Sequence, residues 1–179
     1  MNHFQKIRDL LEANELDAML LTEEANRFYA TGFHSGGTDG VALVTRSKAY
    51  YFTDSRYTEA AARYVQGAEL REIGRGRGYG ALVQEVVAEE RIGRMGFEDA
   101  YMTVRDHGAY NKALKCELVP ATDLLWQLRM VKDEEELEAM RQEKLQQRRE
   151  ARSNFRYALG NKLFGETGYE KLKKMLKRQ

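Results

Sequence analysis

The chain has 179 residues, of which 42% are hydrophobic and 32% charged, with one proline and a formal net charge of +1. This composition excludes a disordered chain and indicates a soluble globular domain. Cys116 is the single cysteine, which excludes an internal disulfide and a zinc site built from several thiolates. Charged residues interrupt the first dozen positions, and no later apolar run reaches membrane-spanning length. We therefore expect a cytoplasmic protein without a membrane partner.

The charge is divided unevenly along the chain. Residues 143–179 hold eleven Lys or Arg and four Asp or Glu, a net charge of +7. Residues 1–142 hold eighteen Lys or Arg and twenty-four Asp or Glu, a net charge of −6. Blocks of like charge often belong to interaction tails. Basic residues at helical spacing are more simply explained as a solvated helix face, so we expect no nucleic-acid partner.

Apolar spacing predicts alternating helices and strands in the first third of the chain. In chain order these are a helix over the first dozen residues, a strand at Ala18–Leu21, a helix at Glu23–Tyr29, a glycine-rich loop at His34–Gly40, and strands at Val41–Thr45 and Ala49–Thr53. The last two strands are rich in β-branched and aromatic residues, and a polar turn at residues 46–48 separates them. They are predicted to form a hairpin.

The alternation continues to Pro120. The predicted elements are a helix from Ser55 to about Val65, a strand at Leu70–Ile73, a glycine-rich loop ending at Gly80, a helix that buries Leu82, Val83, Val86 and Val87, a strand at Gly93–Phe97, a helix at Thr103–Leu114, and a strand at Cys116–Val119. The pattern is typical of the α/β class. Because of the hairpin, we predict a mixed rather than a purely parallel sheet.

Three further helices are predicted after Pro120. Leu124, Leu125 and Leu128 indicate a helix docked on the core, and Asp133 with Glu136 forms a capping box for a long charged helix. A last short helix is predicted to begin near Thr167. The expected organisation is a domain over residues 1–131, followed by a connector helix and basic helical tail over residues 132–179.

One segment suggests a nucleotide site. Residues 76–81 fit Gly-x-Gly-x-x-Ala between a predicted strand and a helix, and Glu98 lies near the spacing of a ribose-binding acid. Glycines at positions 74, 76, 78 and 80 alternate, however, which makes some such match almost unavoidable. An ordinary loop is the favoured interpretation, and nucleotide binding remains the less favoured alternative.

No residue pattern for metal or nucleophilic catalysis is present. His3, His34 and His107 are scattered, and no His-Glu-x-x-His segment occurs. The sequence around Ser35 misses the Gly-x-Ser-x-Gly spacing by one residue. We therefore expect no catalytic residue, no metal ligand and no cofactor in this chain.

Several uncommon elements follow one another in the same chain. Asn26-x-x-Tyr29-x-Thr31-Gly32-Phe33 precedes a glycine-rich loop and a hairpin, after which come Thr53-Asp54-Ser55-Arg56-Tyr57, Gly96-Phe97-Glu98 and the segment from Leu124 to Leu137. This series resembles the N-terminal domain of the creatinase, prolidase and aminopeptidase P family. The resemblance covers residues 3–142. Ala30 departs from it, since the family usually has Leu at that position.

The resemblance implies a ribonuclease-H-like α/β lobe, with a mixed sheet and helices on both faces. In the family this lobe serves dimerisation and shapes the mouth of the active site. A separate pita-bread domain, with two Asp, one His and two Glu, binds two divalent metals and cleaves Xaa-Pro peptides. Residues 143–179 leave the family pattern, so we expect that domain to be absent. The chain alone is then an inactive homodimer that meets a peptide substrate only with a catalytic domain.

The resemblance also implies roles for particular residues. The candidates for the substrate mouth are His34, Asp39, Arg56 and Tyr57, and the structural motif residues are Asn26, Tyr29, Thr31, Gly32, Phe33, Asp54 and Glu98. His34 or Asp39 would contact a charged end of the substrate. The loop from Phe33 to Gly40, with few side chains to anchor it, is predicted to be mobile and exposed. Asp54 could pair with Arg56 across the turn after the second hairpin strand, but capping of the helix that contains Tyr57 is favoured over a contact with substrate.

A different class of function stays open at this point. The chain could be a stand-alone interaction module that docks a partner through its basic tail.

Overall fold

The computed structural model describes residues 2–37, 39–164, 170 and 173–175. The chain divides into two compact units, Met1–Met130 and Val131–Gln179. Most of the last helix predicted near Thr167 lies outside the described residues. Among the helices that are described, none is both long enough and apolar enough to cross a bilayer.

The predicted elements occur in the predicted order, and their ends differ from the predicted ones by at most three residues. The first unit contains α1 (Phe4–Ala13), β1 (Ala18–Leu21), α2 (Glu24–Thr31), β2 (Val41–Thr45), β3 (Ala49–Thr53), α3 (Thr58–Tyr64), β4 (Glu69–Glu72), α4 (Tyr79–Glu89), β5 (Arg94–Phe97), α5 (Val104–Ala113), β6 (Glu117–Pro120) and α6 (Thr122–Met130). The second unit contains α7 (Glu134–Phe164).

The six strands form one mixed sheet in the order β4-β3-β2-β1-β5-β6. Strand β2 runs antiparallel to both β1 and β3, whereas the other neighbouring pairs are parallel. Five strands therefore end at the same edge of the sheet, called here the carboxyl edge and marked by Thr22, Asp54, Ile73, Glu98 and Ala121. The prediction of an α/β fold with a mixed sheet and a hairpin is confirmed.

Helices cover both faces of the sheet. On one face, α1 and α6 pack against alternate strand residues such as Met19 and Leu21. On the other, α4 and α5 pack against the intervening residues, such as Leu20 and Leu43. Burial on both sides explains why the central strands are apolar at almost every position instead of alternating with polar residues.

Gly40 lies where the chain enters β2, and a side chain there would meet a buried hydrogen bond. A Cβ atom built on Gly40 lies 2.9 Å from Tyr51 Cζ and 3.1 Å from Ser35 Oγ. The Ser35 and Tyr51 hydroxyls are themselves hydrogen-bonded at 2.6 Å. Any residue larger than glycine must displace this pair.

We predict that Gly40→Ala lowers the free energy of unfolding by about 1–3 kcal/mol, because overpacking a filled site is destabilising. The matched control is Gly108→Ala in α5, where nothing lies within 4 Å of the built Cβ. Alanine at position 108 is expected to raise the free energy of unfolding by about 0.5–1 kcal/mol, because alanine has the higher helix propensity. Urea unfolding followed by the fluorescence of Trp126 measures both, and equal stabilities of the two variants would contradict the prediction.

Candidate functional site

The α2–β2 loop, residues 33–40, is anchored at the carboxyl edge by Arg27. This side chain is 1% exposed. Its Nη2 donates to the carbonyl oxygens of Ser35 at 3.3 Å and Gly37 at 2.5 Å, and its Nη1 donates to the carbonyl oxygen of Thr22. The loop is predicted to be exposed, with few side chains to anchor it. A buried guanidinium holds its backbone, and Phe33, Ser35 and Gly40 within it are buried.

Three of the four predicted mouth residues lie together: Asp39 belongs to this loop, and Arg56 and Tyr57 lie beside it. Arg56 Nη2 donates to Asp39 Oδ1 at 2.8 Å and to Asp54 Oδ2 at 2.6 Å. Tyr57 Oη donates to Asp39 Oδ2 at 3.1 Å. Asp39 leads into β2 and Asp54 follows β3, so the hairpin brings these residues to one place. The cluster holds one cation between two carboxylates.

The pKa values of the cluster follow from these contacts. Hydrogen bonds from Arg56 hold the pKa of Asp54 below its usual range. The carboxylates of Asp54 and Asp39 raise the pKa of Arg56. The hydrogen bond to the Asp39 carboxylate raises the pKa of Tyr57, which stays a neutral donor near pH 7. With Asp39 as a carboxylate, the cluster carries a net charge of −1.

Asp54 pairs with Arg56 and does not cap the following helix, contrary to the favoured prediction. Helix α3 begins at Thr58, and its N-cap residue Tyr57 makes no capping hydrogen bond through its side chain. Asp54 Oδ1 instead accepts from the Arg56 amide at 2.9 Å, and its carbonyl oxygen accepts from the Tyr57 amide at 3.0 Å. Asp54 therefore shapes the turn before the helix.

His34, the fourth predicted mouth residue, has a different environment. Its side chain is exposed, and its ring stacks on Phe28 with centroids 3.8 Å apart. Ser35 is only 2% exposed and its hydroxyl is hydrogen-bonded to Tyr51. The loop thus presents an imidazole to solvent and buries the neighbouring hydroxyl, which leaves Ser35 without the exposure that a nucleophile needs.

The motif residues before the loop terminate helix α2 and set the direction in which the chain continues. Gly32 is the C-cap of α2 with φ +70°, a conformation that favours glycine. Thr31 Oγ1 accepts from the Phe33 amide at 3.1 Å, and the Phe33 side chain is buried. The Tyr29 ring stacks on His3 with centroids 4.1 Å apart. These contacts are those of structural residues.

Glu98 is fully buried at the end of β5 and binds the β1–α2 turn. Its Oε2 accepts from the Thr22 amide at 2.5 Å, the Thr22 hydroxyl at 2.8 Å and the Glu23 amide at 2.8 Å. Its Oε1 accepts from Asn26 Nδ2 at 2.7 Å, and Asn26 Oδ1 in turn accepts from Arg129 Nη1 at 2.7 Å. The network joins β5, the β1–α2 turn and α6.

This network removes the basis of the nucleotide interpretation. Both carboxylate oxygens of Glu98 accept hydrogen bonds from the chain, and the side chain is 0% exposed, so it cannot bind a ribose. Just before α4, Arg77 pairs with Glu85, which places a carboxylate beside the loop that would bind phosphate in the nucleotide interpretation.

A cavity of about 590 Å³ lies at the carboxyl edge between the α2–β2 loop and the loop after β5. Tyr79, Tyr101, Met102 and Tyr110 line it, together with acidic side chains from Glu23, Glu24 and Asp106. Burial raises the pKa of Tyr79 and of Tyr110, so both phenols are neutral near pH 7. The sequence gives no signal for this cavity, because its lining comes from four separate segments.

We predict that Arg27→Met lowers the free energy of unfolding by about 2–4 kcal/mol, because it leaves buried carbonyl groups without a donor. The amide of Asp39, which donates to the Gly36 carbonyl at 2.9 Å within the loop, should also exchange its hydrogen faster. The control is Arg63→Met, which removes an exposed pair with Glu59 and should change stability little. Unchanged stability and unchanged exchange in Arg27→Met would contradict the anchoring role.

A second prediction concerns the pH dependence of stability. Burial raises the pKa of the Glu98 carboxyl above its ordinary value, although hydrogen bonds from Thr22, Glu23 and Asn26 lower it. The folded state then binds this proton more tightly than the unfolded state. The contribution of Glu98 to the free energy of unfolding is therefore greatest below the ordinary glutamate pKa and is lost as the pH rises through the raised value.

Urea unfolding between about pH 4 and pH 8 should show this loss in the wild type and not in Glu98→Gln. A ¹³C titration of the Glu98 carboxyl in the wild type measures its pKa directly and does not depend on the variant's stability. A pKa at or below the ordinary glutamate value would contradict the prediction.

Comparison with known proteins identifies the first unit. The creatinase/prolidase N-terminal domain family matches residues 4–131. An uncharacterized peptidase, YqhT, of Bacillus subtilis is 36% identical over 140 residues, which are 76% of this chain and 38% of that protein. A putative Xaa-Pro aminopeptidase of Mycoplasma genitalium is 41% identical over 59 residues, 33% of this chain and 16% of that protein.

Solved structures give the same result. An Xaa-Pro dipeptidase from Bacillus anthracis superposes with a TM-score of 0.68 at 30% identity, covering 75% of this chain and 37% of that one. The N-terminal domain of the cytoplasmic peptidase PepQ from Mycobacterium tuberculosis superposes with a TM-score of 0.61 at 30% identity, covering 70% of this chain and 96% of that one.

The chain thus spans less than two fifths of the Bacillus proteins and nearly all of a solved N-terminal domain. The family match covers more than two thirds of the chain, from the start of α1 to the residue after α6. The resemblance inferred from the Asn26 and Asp54 segments is confirmed: the chain belongs to the creatinase/prolidase N-terminal domain family, the N-terminal domain of Xaa-Pro peptidases.

Proposed function

We propose that the first unit is the non-catalytic lobe of an Xaa-Pro metallopeptidase of the aminopeptidase P or prolidase type, and that it shapes the mouth of the active site. The observation that carries this proposal is the α2–β2 loop, held by buried Arg27 beside the Asp39, Arg56 and Tyr57 cluster. In open α/β sheets, ligands bind outside the carboxyl ends of the strands. The loop and the cluster both lie at that edge.

The charge of the cluster favours one end of a peptide. Arg56 is shared between Asp39 and Asp54, so a net charge of −1 remains. A negative site attracts the ammonium end of a peptide more than its carboxylate end. Asp39 is partly exposed and is the residue that we assign to this contact. His34 lies on the same loop with its imidazole exposed.

The reaction itself is assigned to a catalytic domain outside residues 1–179. In this proposal that domain supplies the two divalent metals that activate water and polarise the peptide carbonyl. The present chain supplies position and charge only, and a peptide is a substrate only when both parts are together. A cytoplasmic location is part of the same proposal.

Dimerisation is the second part of the proposed role. Trp126 on α6 is 44% exposed and Tyr101 45%, and their rings meet edge to face with centroids 6.5 Å apart. Trp126 Nε1 donates to Tyr101 Oη at 3.2 Å. Met130, at the end of α6, is 77% exposed. Exposed aromatic and apolar side chains of this kind are typical of surfaces that bury a second copy.

The test is a chimera in which residues 1–130 replace the matching region of the Bacillus anthracis Xaa-Pro dipeptidase. We predict that the chimera hydrolyses Xaa-Pro dipeptides and sediments as a dimer at micromolar concentration. Asp39→Asn in the chimera should raise KM about tenfold with a smaller effect on kcat, because a charge contact to substrate is lost. The control, Asp9→Asn, removes an exposed carboxylate of α1.

Each outcome decides one part of the proposal. An inactive chimera would contradict the lobe assignment, and a monomer across the accessible concentrations would contradict dimerisation. If Asp39→Asn and His34→Ala both match the unsubstituted chimera, the loop has no role at the mouth and the unit is a scaffold only.

A further inference from the structure

Helix α7 carries a block of uncompensated positive charge in its second half. From Lys144 to Lys162 it contains six basic residues and one acidic residue, Glu150. The first half of the same helix is acidic and begins with Glu134, Glu135 and Glu136. The charge therefore changes sign along a single helix of 31 residues.

The helix places its basic residues on one side. Successive residues of an α-helix are rotated by about 100°, so the six lie within a sector about 140° wide and about 27 Å long. Glu150 falls outside this sector. The basic sector, as it is called below, consists of Lys144, Arg148, Arg149, Arg152, Arg156 and Lys162, all with exposed side chains.

These charges have no counterpart among the residues that the structure describes. Within the described part of the chain, no residue of the basic sector takes part in an ion pair, whereas Arg141 on the same helix pairs with Glu134 at 2.9 Å and with Glu138 at 3.4 Å. Lys144, Arg148, Arg152 and Arg156 follow one another at i, i+4. Like charges at this spacing repel by about 0.2–0.5 kcal/mol per pair. A polyanion laid along the sector would relieve that repulsion.

The composition of the remaining surface argues against a membrane as the polyanion. A helix that lies in a bilayer interface needs a broad apolar face opposite its charges. The side of α7 away from the basic sector carries Gln146, Gln147, Ser153 and Asn154. Of the large apolar side chains described in this stretch, Leu145, Phe155 and Leu159 fall within the basic sector itself. Tyr157 lies on the opposite side among these polar residues, and one such side chain does not make a broad apolar face.

We propose that the basic sector of α7 binds nucleic acid through the phosphate backbone, without reading the base sequence. Guanidinium groups donate two parallel hydrogen bonds to a phosphate, and four of the six basic residues are Arg. Arg148, Arg152 and Arg156 are about 6 Å apart along the helix axis, a ladder that can follow successive phosphates. Phe155, exposed within the sector, can stack on an unpaired base.

This proposal goes beyond the peptidase role and replaces the expectation of a merely solvated face. It uses residues of the second unit only, whereas the mouth proposal uses the first. The sequence shows a basic tail, but the solvated-face interpretation missed two facts that the helix supplies. All six charges share one side, and none is paired with a described residue.

The experiment titrates the full chain into fluorescein-labelled 20-mers of mixed sequence, one duplex and one single-stranded, between 50 and 200 mM NaCl. Fluorescence anisotropy should report binding whose log K falls with log salt at a slope of about −4 to −5 for the duplex, the value for about five neutralised phosphates. The double variant Arg148→Gln/Arg152→Gln should reduce the slope by about two. Arg141→Gln, whose arginine is already paired, should leave it unchanged.

Two further arms keep the test decisive. The double variant Arg148→Lys/Arg152→Lys keeps the charge and should keep the salt slope, while circular dichroism verifies the helix in all variants. Absence of binding at 50 mM salt, equal losses in Arg141→Gln, or equally tight binding of polyglutamate would each overturn the proposal. Binding to phosphatidylserine vesicles without binding to either 20-mer would overturn it in favour of a membrane.

Discussion

Thr22, the residue after β1, lies between two buried charges, and the carboxyl edge of the first unit depends on this arrangement. Its amide and hydroxyl donate to Glu98, and its carbonyl oxygen accepts from Arg27. A buried charge is tolerated only when hydrogen bonds replace the lost water. The anion and the cation both find such bonds on one residue of the β1–α2 turn, so the turn fixes both.

Each of the two charges then orders a different segment. Arg27 extends to the carbonyl oxygens of Ser35 and Gly37 and orders the α2–β2 loop, while Glu98 extends through Asn26 to Arg129 on α6. Removal of either side chain would leave several buried polar groups without partners, and such groups are costly. The buried Arg27 guanidinium therefore fixes the position of the proposed substrate loop. The glycines allow the loop to adopt its shape, but they do not hold it in place.

Much of the fold follows from the sequence because its signals are local. The apolar runs at Ala18–Leu21 and Ala49–Thr53 and the polar turn between the hairpin strands determine elements without reference to distant residues. The site depends on contacts that are not local: Arg56 meets Asp39 seventeen positions away, and Glu98 binds Asn26 seventy-two positions away. Asp54 shows the difference. The sequence predicts a helix that begins at Ser55, directly after Asp54. Helix α3 begins three residues later, at Thr58, and Asp54 pairs with Arg56 in the turn between them.

Arg27 illustrates why the anchoring of the loop escaped prediction. It lies within the Asn26-to-Phe33 segment at a position that the motif leaves open, and an arginine on a short helix is ordinarily exposed. Only the fold shows that its guanidinium faces carbonyl groups. The arginines of the basic sector present the opposite case, since their charges face no described carboxylate. The buried Arg27 thus uses its guanidinium to hold the chain together. The exposed arginines of the basic sector, which are paired with no described residue, keep theirs available for a partner.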